Sequence, residues 1–145
     1  MAKRKMKENI IRKTAARLSI PFIQLYALYV IAHGELGPGG GFQGGVILGA
    51  SVILFILAYG MEEGVNRVKQ WKTDVLNSVG VLLYGGIGIL CLFLGGKYLQ
   101  YNVLPVSDPK LASQLGIIGI EIGVGITVAA IMITLFIETA RRDEK

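Results

Sequence analysis

The stretch His33–Gly49, HGELGPGGGFQGGVILG, lies between two apolar segments, and eight of its 17 residues are glycine. Glycine adopts backbone conformations that strain other residues, and it lets a second backbone approach closely. Pro38 restricts its own φ angle and disfavours the helical region at Gly37. The stretch therefore predicts a shaped loop that ends one helix and directs the next, rather than a flexible connector.

A phosphate-binding loop is the first function that so many glycines suggest. Such loops need a preceding strand, a following soluble helix and, in one class, a Gly-Lys-Ser/Thr ending. Residues 33–49 contain no Lys, Ser or Thr, and the flanking segments are too apolar for a soluble sheet. We therefore expect no nucleotide partner.

The composition points to a membrane protein. The 145 residues are 52% hydrophobic and 17% charged, where a soluble domain carries about 25% charged residues, and the mean hydropathy is +0.56. The apolar residues fall into four runs: Leu18–Ala32, Val46–Met61, Val75–Leu94 and Leu115–Ile137. Because helices satisfy their own backbone in lipid, the sequence predicts an all-α, multi-pass protein with four transmembrane helices, Pro21 lying in the first turns of helix one.

The basic residues are distributed unevenly along the chain. Seven Lys and Arg residues precede the first run, three lie between the second and third, and three follow the fourth, which makes 13 on one side of the membrane against Lys97 and Lys110 on the other. This excess predicts that both termini are cytoplasmic in the cell membrane, and it explains the net charge of +5 without nucleic acid. The predicted divisions are a basic segment 1–17, a four-helix body 18–138 and a tail 139–145. The first segment is either a solvated tail or an interfacial helix against anionic lipid.

Small residues mark the faces on which the helices are expected to pack. Gly45 and Gly49 form a small-xxx-small pair on the second helix. The fourth run carries a stripe of small residues, which are Gly116, Gly119, Gly123, Thr127, Ala130 and Thr134. The single Cys91 is expected to be an apolar packing residue.

Glu121 is the one charge of the fourth run that topology does not explain. It lies six residues after Leu115, the predicted outer boundary, or about 9 Å into the membrane. A charge at that depth is costly unless it is paired or hydrated, so it usually faces the interior of a helix bundle. Two residues turn a helix by about 200°, which places Glu121 nearly opposite Gly119 and Gly123. We therefore expect the stripe to pack on a neighbouring helix while Glu121 faces another chain, a cavity or the glycine-rich loop.

Two motifs together resemble a known family. PGGGFQGG after the first apolar run and GIEIGVGITVAA in the fourth are similar to the MnhB-like (MrpB-like) subunits of the multisubunit Mrp-type (Mnh) sodium/proton antiporters. The same module occurs as a membrane subunit of archaeal membrane-bound hydrogenases and sulfane reductases. The resemblance covers residues 18–138, and the matching positions are Pro38, Gly39, Gly40, Gly41, Phe42, Gly44, Gly45 and Glu121. His33 stands farther from Pro38 than the histidine of the family pattern does.

The resemblance implies a non-catalytic subunit of a large ion-translocating membrane assembly, with other membrane subunits and the lipid bilayer as its partners. It implies no cofactor in this chain, and Na⁺ is the candidate transported ion. The sequence has no ligand set for nickel or an iron–sulfur cluster.

The role of the chain within such an assembly stays open between two hypotheses. An ion-path subunit would offer Na⁺ the oxygens of Glu121, of the 38–45 loop and of Ser or Thr hydroxyls, or would relay protons through Glu121, with His33 and Glu35 near the outer surface as further candidates. A purely structural subunit would use its glycines for close contacts and pair Glu121 with a buried cation of a partner. A homodimeric four-helix exporter is disfavoured, because such proteins carry their essential acid in the first helix and Leu18–Ala32 contains none.

The charge distribution gives a direct test of topology. After replacement of Cys91, single cysteines introduced as Lys3→Cys and Lys69→Cys should resist a membrane-impermeant thiol reagent in intact cells, whereas Lys110→Cys should react. Strong labelling at position 69 would contradict the predicted orientation.

Overall fold

The predicted all-helical, membrane-spanning architecture is confirmed. The computed structural model describes residues 2–34 and 40–142, with side chains described from residue 9 onward. The elements are the helices α1 (Ala2–Ala32), α2 (Gly41–Tyr59), α3 (Met61–Arg67), α4 (Gln70–Phe93) and α5 (Pro109–Arg142), with one turn of 3-10 helix at Tyr101–Val103. Within these described ranges no residue is in a β-strand.

Four of the helices are long and apolar enough to cross a membrane: the part Asn9–Ala32 of α1, and α2, α4 and α5. With 19 residues, α2 is about 28 Å long, close to the thickness of the hydrocarbon layer. The 34 residues of α5 reach about 51 Å, so this helix extends beyond the layer. Each helix begins at least five residues before its apolar run, because helical hydrogen bonding continues into polar sequence.

The course of α1 corrects one expectation. Residues 2–17 are helical and continue without interruption into the first span. Pro21 therefore lies inside α1, and the prediction that it occupies the first turns of a helix is wrong. The basic segment is therefore helical as well, although the apolar run that predicted the first helix begins only at Leu18.

The link between the second and third spans contains the short helix α3, which sequence analysis did not predict. Gly60 separates α2 from α3 with a φ of 102°, a conformation that favours glycine. Ile56, Ile133 and Ile137 form a buried cluster at this end of the molecule, with Met61 and Val65 packed against it. The apolar side of α3 thus closes the ends of α2 and α5.

The helices pack in the order α1, α2, α5, α4, so that α5 separates the consecutive spans α2 and α4. The contact between α4 and α5 is close because Gly80 lies against the backbone of Gly123 and against Thr127. Many large apolar side chains on the outer faces are exposed, among them Phe22, Leu82 and Phe93. These faces are suited to lipid or to neighbouring subunits.

The link from α4 to α5 folds back onto the two helices. The ring of Tyr98 lies on Gly88 and the ring of Tyr101 lies on Gly116, where any larger residue would collide with the aromatic carbons. Partial desolvation, and then the neighbouring Tyr84, raise the pKa of Tyr98 above 10.0, so its phenol stays protonated at neutral pH. Asp108 starts α5 by accepting a hydrogen bond from the backbone N–H of Lys110 at 2.9 Å, as an N-cap residue does.

Two glycines of α4 provide a matched test of this packing. A Cβ on Gly80 would lie 2.7 Å from the carbonyl oxygen of Gly123, whereas a Cβ on Gly85 would meet nothing within 4 Å. Gly80→Ala should destabilise the chain by about 1–3 kcal/mol because backbone atoms cannot move aside. Gly85→Ala should be neutral or stabilising by up to about 1 kcal/mol because alanine favours helix. Thermal unfolding of the purified chain in detergent measures both, and equal effects would contradict the described α4–α5 contact.

Candidate functional site

The carboxylate of Glu121 lies where α1 ends and α2 begins. A Cβ added to Gly34 would meet both of its oxygens, and a Cβ on Gly40 would lie 3.0 Å from Oε1. The same Cβ added to Gly34 would lie 2.5 Å from the Cα atom of Gly40. The two ends of the glycine-rich loop therefore adjoin each other and the carboxylate of α5.

The backbone of Gly41 lies directly on the backbone of Glu121. A Cβ on Gly41 would overlap the carbonyl oxygen of Glu121 and would lie 2.8 Å from its Cα. No side chain can be accommodated at such a distance, so only glycine allows α2 to begin there. Gly40, which precedes it, has a φ of 112° and accepts a hydrogen bond from the N–H of Gly44 at 3.0 Å.

Three helices converge just below this contact. Gly44 lies on Ala27 and Ile31 of α1. On the next face of α2, a Cβ on Gly45 would lie 2.6 Å from the carbonyl oxygen of Gly125, and Gly49 lies on Ala129 and Met132. Glycines on adjacent faces of α2 thus bring α1 and α5 close to it at the same level.

Glu121 is enclosed on the membrane side of this junction. It is the only charged residue of α5 between Lys110 and Glu138; its side chain is half-buried, and its Oε2 atom is shielded from solvent. The predicted meeting of Glu121 with the glycine-rich loop is thus seen for Gly34, Gly40 and Gly41, the described residues that flank it. An acid within an apolar span is rare, which makes Glu121 a candidate functional residue.

The other candidate residues of the loop have different surroundings. The imidazole of His33 is exposed, stacks on Tyr29 with ring centroids 4.1 Å apart, and places Nδ1 3.1 Å from the carbonyl oxygen of Tyr29. Phe42 lies in the first turn of α2 and is 63% exposed. Three further candidates, Glu35, Pro38 and Gly39, lie outside the described residues.

The stripe of small residues on α5 lies on the side away from Glu121. Gly123 and Thr127 contact Gly80 of α4, and Gly119 lies under Ile87. The hydroxyl of Thr127 donates a hydrogen bond to the carbonyl oxygen of Gly123 at 2.9 Å. These three residues therefore lie in the α4–α5 contact.

Sequence analysis did not single out Gly34, and it did not predict which helices Gly125 contacts. Gly34 adjoins the Glu121 carboxylate, and Gly125 lies between Ile31 of α1 and Gly41 of α2. Gly125 is one turn after Glu121, so helical periodicity alone places the two residues on the same face of α5. Gly34 had no comparable signal, because its position depends on how the loop closes.

The chemistry available at this site is that of oxygen ligands. Across residues 2–34 and 40–142 there is no group of three His, Cys, Asp or Glu side chains that could hold a metal ion. One carboxylate beside glycine-rich backbone is suited to a hard monovalent cation or to a proton in transit, rather than to a resident transition metal.

Four membrane-spanning helices, with one half-buried acid on α5 at the junction of α1 and α2, define a multi-pass membrane protein. The model of a family described as a domain related to the MnhB subunit of Na⁺/H⁺ antiporters matches residues 11–134. The chain belongs to this family, which confirms the resemblance that its two motifs indicated, and it is therefore a membrane subunit whose partners include other membrane subunits.

Similar proteins of Staphylococcus aureus agree with this assignment. In the strains Newman and JH1, a protein described as antiporter subunit mnhB2 is 28% identical to this chain over 137 residues. The matched region covers 91% of this chain and 95% of the relative. The similarity therefore extends over nearly the whole length of both proteins.

Gly40 and Gly44 test the loop, with Gln43 as the matched control. Gly40→Val forces a β-branched residue into a positive φ angle, and this backbone strain should destabilise the chain by about 1–3 kcal/mol. Gly44→Val places carbon atoms against the carbonyl oxygen of Ala27, where a Cβ alone would be 2.9 Å away. Both variants should be incorporated poorly into the membrane complex, whereas Gln43→Val, at an exposed position of the same turn, should be incorporated normally. Recovery of the complex from membranes measures the incorporation of each variant. Normal recovery of both glycine variants would show that the loop is only a connector.

Proposed function

We propose that this chain lines part of the cation path of a multisubunit Na⁺/H⁺ antiporter, without being an enzyme itself. In this proposal Glu121 and the backbone oxygens near Gly40 and Gly41 attract Na⁺, or pass protons, at the outer end of the subunit. The chain binds no cofactor of its own, and Na⁺ is cargo rather than a resident ion.

The placement of the Glu121 carboxylate is the observation that carries the proposal. An acid within an apolar span is costly and is retained where it faces a partner or a water-filled path. Here it lies at the ends of two helices, directly beside the backbone of Gly34, Gly40 and Gly41. Such a junction offers a cation both a charge and carbonyl oxygens.

The orientation of the chain is part of the proposal, with both termini cytoplasmic and the Glu121 site toward the outside. Two groups of contacts support it. Lys13 lies over the Tyr59 ring and Arg67 over the Phe55 ring, and Arg141 lies 3.6 Å from Glu138. These contacts collect basic residues at the end opposite Glu121, as the positive-inside rule requires. We further propose that the assembly is a respiratory one, such as a membrane-bound hydrogenase, as the sequence motifs suggest.

A second candidate function is purely structural. The outer face of α4 favours it, because Gly85 and Gly86 have no neighbour within 4 Å and are costly in a helix that nothing contacts. In that case Glu121 pairs with a buried cation of another subunit and holds the assembly together.

Glu121→Gln separates the two functions. On an ion path the amide keeps the shape and the hydrogen bonding of the side chain but neither titrates nor carries charge. The complex should then assemble while cation flux in sealed vesicles falls by about tenfold or more. In a structural pair, the same change leaves a buried charge of the partner subunit unpaired, which should destabilise the assembly by about 3–5 kcal/mol. The complex should then be recovered poorly.

Glu138→Gln is the matched control, because Glu138 is an exposed carboxylate on the same helix at the opposite end. It should change neither recovery nor flux. An intact Glu121→Gln complex with unchanged flux would refute both functions for this residue.

A further inference from the structure

We propose that the groove between α1 and α2 at the basic end of the molecule binds the headgroup of an anionic phospholipid. The groove has a volume of about 430 Å³. It is lined by residues of α1, α2 and α3, which are Arg17, Ile20, Pro21, Phe55, Tyr59 and Arg67. This site lies at the opposite end from Glu121 and does not depend on the function proposed for that residue.

Two of the cations around this groove make cation–π contacts with its aromatic residues. The guanidinium carbon of Arg67 lies 5.4 Å from the centroid of the Phe55 ring, and the Nζ atom of Lys13 lies 5.2 Å from the centroid of the Tyr59 ring. Arg17 supplies the charge on the third side. Cations within about 6 Å of an aromatic face are attracted to it, so the two contacts position the charges at the mouth of the groove.

Among the residues whose side chains the structure describes, none that lines the groove is a carboxylate that would neutralise these cations. Glu63, one turn before Arg67 on α3, is exposed. Arg67 instead contacts the Phe55 ring. The groove therefore presents two guanidinium groups, with a lysine beside them, to an anion. A phosphodiester suits such a site, because the planar donors of a guanidinium group match its oxygens.

The position of the groove along the helices favours a lipid over a soluble anion. Arg17 directly precedes the apolar run that begins at Leu18, and Tyr59 is the last residue of α2. Charged and aromatic residues at such boundaries lie at the depth of lipid headgroups. Ile20, Pro21 and Phe55 continue the groove toward the membrane interior, where an acyl chain but no free phosphate would find contacts.

Titration of the detergent-purified full chain with lipid, followed by native mass spectrometry, tests the proposal. The wild type should bind phosphatidylglycerol more tightly than phosphatidylcholine, and glycerol phosphate should not compete at similar concentrations. The double variant Arg17→Gln, Arg67→Gln should lose about fivefold in phosphatidylglycerol affinity for each arginine, the ratio that corresponds to about 1 kcal/mol per cation. Its affinity for phosphatidylcholine should fall less, because the choline cation of that headgroup offsets the charge of the phosphodiester.

The matched control is Lys72→Gln, Arg142→Gln. It removes the same charge from the same end, but neither residue lines this groove. It should change phosphatidylglycerol affinity by less than about twofold, because distant charges are screened. An equal loss of phosphatidylglycerol affinity in both double variants would show that the lipid is attracted by the net charge of this end, and would overturn the proposed site. Equally tight binding of glycerol phosphate would show that the groove is a site for soluble anions, and would overturn the proposal that it binds a lipid.

Photolabelling of the unmodified chain keeps the proposal testable if the double variant fails to fold. Phosphatidylglycerol with a diazirine near the start of its acyl chain should label Ile20, Pro21 or Phe55 in membranes containing the assembled complex. Adducts confined to the exposed face of α4, such as Leu82, would overturn the proposal. So would groove adducts in the isolated chain that are absent from the complex, because a partner subunit would then occupy the groove.

Discussion

The contact between the backbones of Gly41 and Glu121 is the constraint on which the rest of the structure depends. Because no side chain separates them, α2 begins directly on α5, and the adjoining glycines bring α1 to the same point. This approach places the loop ends beside the only acid in the interior of α5. The enclosed carboxylate and the convergence of three helices are therefore two results of one close contact, and a residue larger than glycine at position 41 would remove both.

The membrane explains why glycine has this role. Between helices in lipid there is little hydrophobic driving force, so association depends on close packing and on polar contacts. The central helix α5 uses two faces for this purpose: Glu121, Gly125 and Ala129 lie toward α2, whereas Gly123 and Thr127 lie toward α4. Apart from the buried cluster of Ile56, Ile133 and Ile137, most large apolar residues lie on the outer faces. The chain thus has a narrow interior made of small residues and a broad surface for lipid and for the other subunits of a Na⁺/H⁺ antiporter.

The two ends of the molecule differ in chemistry. One end has glycine-rich backbone, a single enclosed acid and a link whose tyrosine rings lie on Gly88 and Gly116. The opposite end has a cluster of isoleucines, the short helix α3 and cations over aromatic rings. In the two proposals, the first end attracts cations and the second attracts an anionic headgroup. An ion-path role for Glu121 and a lipid-headgroup role for the basic groove are compatible in one chain, because the length of the membrane separates them.

The sequence alone determined the number and type of the spans, because its four apolar runs, of 15, 16, 20 and 23 residues, satisfy their own backbone in lipid when they are helical. It also indicated the family and the unusual acid, since each depends on local residue patterns. It did not determine that Pro21 lies inside a helix, that α3 forms, that Gly34 adjoins Glu121 or that Gly125 lies against α1 and α2. Those features depend on which helices become neighbours. Helical periodicity placed Glu121 and Gly123 on opposite faces of α5, but only the tertiary structure decided that α2 lies on one face and α4 on the other, because that choice is made by backbone contacts between residues 80 positions apart, such as Gly41 and Glu121.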